Sequence, residues 1–155
     1  LKDTIKTRTK HAEKPAERKA AELTTLVGIG SQGAWVLSHE LFGWRTFNNR
    51  KEVGAAVGVT PTPFDSGQSD KEQGISKSGN WRVRTLMTQL AWSWLRFQSD
   101  SQLAQWYQST FGSGTKRSRR VGIIALARKL VIALWHYVEH GVVPDGARTR
   151  ALPAT

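Results

Sequence analysis

At 155 residues the chain is long enough to bury one core and too short for two ordinary domains. Its net charge of +11 and isoelectric point near 10.6 imply a polyanionic partner, nucleic acid first and an anionic membrane surface second, because so much like charge repels itself. The absence of cysteine excludes a disulfide framework and thiolate metal sites, no signal-peptide pattern opens the chain, and no apolar run approaches the roughly 18 residues of a membrane span, so a cytoplasmic protein without a membrane partner is expected.

Residues 1–22 are rich in Lys, Arg, Glu and Ala and are interrupted by Pro15. They read as a frayed basic lead-in followed by a helix from about Ala16 to Leu26, with Pro15 near its start. A charge run of this kind is more often a solvated helix or linker than a binding element. The chain opens at Leu1 inside this charged pattern, as a piece of a longer protein would.

Residues 23–41 fit two folds. Gly28, Gly30 and Gly33 spell G-x-G-x-x-G, but that dinucleotide fingerprint needs a preceding strand within a βαβ unit, and the preceding residues look helical. A helix-hairpin-helix fits better: a helix ending at Leu26, a tight turn over Val27–Gly30, and a second helix with Ala34, Leu37 and Leu41 on one face. In that arrangement Gly28, Ile29, Gly30 and Ser31 would bring backbone N–H groups against a phosphate, independently of base sequence. A purely structural glycine turn is the alternative. Trp44 and Phe47 follow as expected core anchors. Asn48 or Asn49 can cap a short helix of K-E-V-G-A-A-V-G.

Gly58 to Arg84 reads as a long polar loop punctuated by Pro61, Pro63, Gly67, Gly74 and Gly79. It opens into a predicted helix from about Trp81 to Phe97, capped by Ser78 or Asn80, whose Val83, Leu86, Met87, Leu90, Trp94 and Phe97 recur at spacings of three and four. Arg82 and Arg84 then fall in its first turn, where a cation opposes the helix dipole and suggests an anionic ligand. Residues 101–111 suit a short helix. Lys116, Arg117, Arg119 and Arg120 form a basic collar ahead of a last helix from Val121 to Glu139, with Ile124, Ala127, Val131, Leu134 and Val138 on one face and Gly141 as its stop. From Val142 onward a flexible tail is expected. His136, Glu139 and His140 spell the inverted zinc-peptidase pattern H-x-x-E-H, but it lies on the last turn before Gly141 with no later Glu to complete the ligands, so no metal site is assigned.

A serine that attacks a phosphodiester needs an exposed hydroxyl, cations to stabilise the transition state and a route for its proton. Ser66, beside Gly67 and followed by Lys71, Lys77, Arg82 and Arg84, offers the first two; Ser69, Ser76 and Ser78 compete with it, and on spacing alone a plain turn residue is the commoner role.

The ordered succession L-V-G-I-G, F-N-N-R-K-E-V-G-A-A-V-G-V-T-P, D-S-G-Q-S-D-K-E-Q-G-I-S-K-S-G-N-W-R-V-R and I-A-L-A-R-K-L-V-I-A-L-W resembles the C-terminal serine transposase domain of the insertion-sequence "one-ten" family, the bridge-RNA-guided transposases. The resemblance covers about residues 22–146. It implies a mainly α domain, a helix-hairpin-helix followed by a helical bundle with a long polar active-site loop. Residues 1–22 would be the end of a basic helical linker, 23–140 the domain and 141–155 the tail. It implies that Ser66 forms a covalent phosphoserine intermediate with DNA, that a structured guide RNA supplies sequence specificity, that the intact protein is a homo-oligomer associated with the nucleoid, and that its divalent metal, Mg, is held by a RuvC-like domain rather than by these residues. The alternative is a non-catalytic helix-hairpin-helix module that binds nucleic acid.

Overall fold

The computed structural model describes residues 15–42, 47–57 and 67–150, with backbone alone over 67–80. Helix α1 runs over Pro15–Leu23, with Pro15 at its first position, where a missing N–H costs nothing. It stops before the predicted Leu26 because the hydroxyls of Thr24 and Thr25 donate to the carbonyls of Ala21 and Glu22, both at 2.6 Å, and close the chain into a turn. Ala20 and Leu23 are fully buried, and Lys19 donates to the Phe42 carbonyl at 2.8 Å and pairs with Glu139. One face of α1, Ala20 and Leu23, thus packs into the core while Arg18 stays exposed, so the helix is not solvated all round.

After the turn, α2 runs over Ser31–Leu37 and continues through a π-helical turn, Ser38–Phe42. Its Ala34, Leu37 and Leu41 are buried as their spacing predicts. Phe47 is buried, whereas Trp44 lies outside the described residues. Helix α3, Arg50–Val57, starts on a reciprocal cap: Asn49 Oδ1 accepts from the Glu52 N–H at 3.1 Å, and Glu52 Oε1 accepts from the Asn48 N–H at 2.9 Å.

Helix α4 departs most from expectation. It spans Gly67–Phe97, 31 residues, so the second half of the expected loop is helix, no cap falls at Ser78 or Asn80, and Arg82 and Arg84 lie in mid-helix. The physical reason is that Gly74 and Gly79 each cost only about 1 kcal/mol in a helix interior, leaving the hydrogen-bond ladder intact, while the stronger breakers Pro61 and Pro63 come before it begins. Val83, Met87, Leu90, Ala91 and Trp94 form its buried stripe, but Phe97 is 42% exposed.

Helix α5, Gln102–Tyr107, is followed by a π-helical turn, Gln108–Gly112. Its cap Ser101 is fully buried: Oγ accepts from the Ala104 N–H at 3.2 Å and from Trp94 Nε1 at 2.9 Å and donates to the Gln98 carbonyl at 2.7 Å. Helix α6, Lys116–His140, is capped by Thr115, whose hydroxyl accepts from the Ser118 N–H at 3.1 Å. The basic collar is thus helical rather than a loop ahead of the helix. The buried face is Ile123, Leu126, Ala127, Leu130, Val131, Leu134 and Trp135; Ile124 is 41% exposed and faces away from it. Contrary to the sequence reading, α6 is long and apolar enough, by length and composition, to cross a membrane. In this fold it is the central helix, packed against α1, α3, α4 and α5. Gly141 ends it in the left-handed conformation, φ 70°, with its N–H on the Tyr137 carbonyl at 3.0 Å.

Residues 142–150 correct the expected flexible tail. Arg150 N donates to the Thr25 carbonyl at 2.7 Å, the Arg148 carbonyl accepts from Val27 N at 3.2 Å, and the Asp145 carbonyl accepts from Gln102 N at 3.0 Å. The segment is a strap tying the α1–α2 turn to the start of α5, with Leu26 and Thr149 forming an isolated antiparallel bridge. Among the described residues every regular element is a helix, so the chain is mainly α as expected.

Candidate nucleic-acid interface

The α1–α2 turn is fixed from three sides. Gly28 takes φ 98°, which an L side chain rarely adopts, and a Cβ there would come within 3.3 Å of Phe97 Cβ. Its carbonyl accepts from Ser93 Oγ at 2.8 Å, and the neighbouring Val27 carbonyl accepts from Gln98 Nε2 at 2.8 Å. Ile29 does not act as a phosphate donor in this arrangement. Its side chain is buried and its N–H donates to the Leu26 carbonyl at 3.1 Å, closing the turn itself. Gly30 is the exposed N-cap of α2, with no side-chain cap bond. The first intrahelical bond runs from Ala34 N to the Gly30 carbonyl at 3.0 Å, so the N–H groups of Ser31, Gln32 and Gly33 are the unsatisfied donors of the first turn.

Gln32 and Gly33, with Gly30, border a groove of about 560 Å³ between α2 and α4, walled on the α4 side by Trp81, Arg82, Thr85, Gln89 and Ser93; Ser31 does not line it. Trp81 is 55% exposed. Arg82 pairs with Glu40 at 2.9 Å. Such a solvated pair contributes about 0–1 kcal/mol and yields readily to a stronger anion. Arg84 does not join Arg82, because two residues along a helix turn through about 200°.

Ser66 lies outside the described residues, and Gly67, next in sequence, begins α4. At 1.5 Å per residue the helix places Lys77, Arg82 and Arg84 about 15, 22 and 25 Å along its axis from Gly67. Arg82 and Arg84 therefore lie well along the helix rather than in its first turn, where the sequence reading put them.

The collar lines a second groove of about 720 Å³, where Lys116, Arg119 and Arg120 face Trp92, Arg96 and Tyr107; Arg117 does not line it. Tyr107 OH donates to the Arg119 carbonyl at 3.1 Å, locking α5 to the start of α6. Sequence reasoning missed both aromatics. Trp92 falls off the 83–87–90–94 stripe, the only signal that it is not a core residue.

Elsewhere, Glu139 of the H-x-x-E-H pattern is taken by Lys19, and His136 and His140 stand against the Trp135 ring at 4.7 and 5.3 Å. Among the described residues no three His, Asp or Glu side chains converge as metal ligands. Glu22, on α1 and outside both grooves, has its carboxyl pushed up by burial, opposed by Arg18 and Lys19 and reinforced by Glu139.

A family model described as "Transposase IS116/IS110/IS902 family" matches residues 20–108, a stretch that takes in the glycine turn, the Ser66 segment and α4. The protein y4rJ of Sinorhizobium fredii (strain NBRC 101917 / NGR234), itself named as a transposase, is 46% identical over 136 residues, 87% of this chain and 33% of that protein. The "Transposase for insertion sequence element IS1328" of Yersinia enterocolitica is 31% identical over 130 residues, 82% of this chain and 38% of that protein. The chain thus spans a little over a third, at most, of the length of these relatives. No solved structure matches it. On the family match, which covers more than half of its length, the chain belongs to the IS116/IS110/IS902 transposase family.

Proposed function

We propose that this chain is the DNA-binding, serine-bearing portion of a transposase that cuts and rejoins DNA through a covalent phosphoserine at Ser66. The observation that carries the reading is the family match running unbroken through the glycine turn and the Ser66 segment. In the reaction, Ser66 Oγ attacks the phosphorus, the phosphorus–oxygen bond to the departing deoxyribose breaks, and the serine proton is balanced by one delivered to the leaving hydroxyl. A hydroxyl of a second strand then attacks the phosphoserine and releases Ser66. The free N–H groups of the first turn of α2, Ser31 to Gly33 beside Gly30, together with Arg82 on the facing helix, hold a phosphate backbone. Lys77, Arg84, Arg117 and the rest of the collar extend that contact.

Sequence choice falls to a structured RNA of the element pairing with the DNA, leaving the protein to read backbone and shape. The intact protein works as a homo-oligomer on nucleoid DNA.

The test uses the intact protein with its RNA and both DNAs, and reads the covalent protein–DNA adduct. Ser66→Ala abolishes it and Ser69→Ala leaves it. An adduct that survives Ser66→Ala contradicts the assignment, and loss in Ser69→Ala alone moves the nucleophile there.

A further inference from the structure

The groove between α4, α5 and α6 combines features that packing does not require. Trp92 is 48% exposed, whereas Trp94, two residues on, is fully buried. The Trp92 ring meets Tyr107 in an edge-to-face pair, with centroids 6.5 Å apart and an interplanar angle of 72°, so that at least one Trp92 face is free of that partner. Around it stand Arg96, Lys116, Arg119 and Arg120, no acidic residue lines the groove, and among the described residues no carboxylate pairs with any of the four. The first turn of α6 holds cations and no acid, against its own dipole, so an anion there relieves two unfavourable terms together. Its volume of about 720 Å³ suits a small organic group rather than a folded surface.

We propose that this groove binds an unpaired nucleotide of single-stranded DNA, its base stacked on Trp92 and its flanking phosphates on Lys116, Arg119 and Arg120. An aromatic face beside clustered cations is how single strands are held without sequence readout. A duplex keeps its base faces stacked internally and cannot present one to Trp92. The choice of DNA rests on the transposase reading above, in which strand exchange exposes unpaired ends.

The test measures fluorescence anisotropy of a labelled ten-residue thymidine oligonucleotide with the 155-residue chain, each variant checked for helix content by circular dichroism. Trp92→Ala lowers affinity about 5- to 100-fold, the effect of losing one stacked base, and leaves the salt slope unchanged. Trp92→Phe, which keeps an aromatic face, restores most of the binding, and Trp92→Leu, which keeps apolar bulk without one, loses it and serves in place of Trp92→Ala should that variant not fold. Arg120→Gln keeps the indole and makes the salt slope shallower by about 0.7. Unchanged affinity in Trp92→Ala or Trp92→Leu, an equal Trp92 dependence for duplex DNA, or a preference for a uridine oligonucleotide overturns the proposal. If duplex binding persists while Trp92 has no effect, this inference alone falls; if the chain binds neither single strand nor duplex, the DNA-binding reading falls with it.

Discussion

Glu22 shows how much a single half-buried carboxylate carries in so basic a chain. Burial raises its pKa above the ordinary value of 4.5, and the nearby Arg18 and Lys19 offset only part of that. A raised pKa means that the folded state holds the proton more tightly than the unfolded state. The stabilising contribution of the protonated form is therefore complete below the ordinary carboxylate value and is lost as pH rises through the raised one. Glu22→Gln, which mimics the protonated side chain, should melt at a higher temperature than the parent at pH 7. The difference should vanish at pH values below the ordinary carboxylate range. A thermal melt at each pH checks this, and a variant less stable at pH 7 would mean that the Arg18 and Lys19 attraction outweighs burial.

At the scale of elements, the joint that matters most is Gln98, 1% exposed at the end of α4. Its Nε2 donates to the carbonyls of Val27 and Arg148 and its Oε1 accepts from Arg148 N, all at 2.8 Å, so one amide fixes the glycine turn, α4 and the strap to one another. Gln98→Ala leaves the Val27 carbonyl and the Arg148 N–H without these partners, while the Arg148 carbonyl keeps Val27 N. It should lower unfolding free energy by about 2–4 kcal/mol, since each buried unpaired group costs about 1–3 kcal/mol. Denaturant titration reads the loss, and hydrogen exchange should quicken first at Val27 and Arg148.

None of this joint was legible in the sequence, because nothing local marks a glutamine that bonds across 71 and 50 positions. The same reason hid the strap, whose order comes from distant carbonyls rather than from its own Pro- and Gly-bearing composition. What repeats locally was legible: the Ala34–Leu37–Leu41 face, the Asn49 cap, the Gly141 stop and the Val83–Met87–Leu90–Trp94 stripe. Ile124 failed because the buried seam on α6 runs through Ile123 and Leu126, and several apolar faces of that helix satisfy the same spacing. The glycine turn was legible in position, but Ile29 could not be told from a ligand donor until its N–H was seen bonded to Leu26. Of the candidate site, the cations were legible and their arrangement was not, since that depended on whether α4 begins at Gly67 or near Trp81.

For the whole molecule, α4 becomes a rod with the Arg82 groove on its middle and the Arg96 groove near its end, about 21 Å apart along the axis. That is roughly six phosphate steps at 3.4 Å along one strand of a duplex. Two basic grooves on one rigid helix suit a backbone tracked over half a turn rather than a point contact, and a net charge of +11 favours the encounter. If about five phosphates are engaged, the logarithm of duplex affinity should fall against the logarithm of salt concentration with a slope near −4.5. Anisotropy over a salt series measures it, and a flat response contradicts backbone-led binding.

Whether Ser66 is the nucleophile is read by mass spectrometry of the trapped adduct: intact protein, RNA and both DNAs, quenched during strand exchange and digested with protease and nuclease. A nucleotide-bearing phosphoserine is expected on the peptide containing Ser66. A nucleotide on any other residue, or abundant cleavage with no modified peptide, would contradict it.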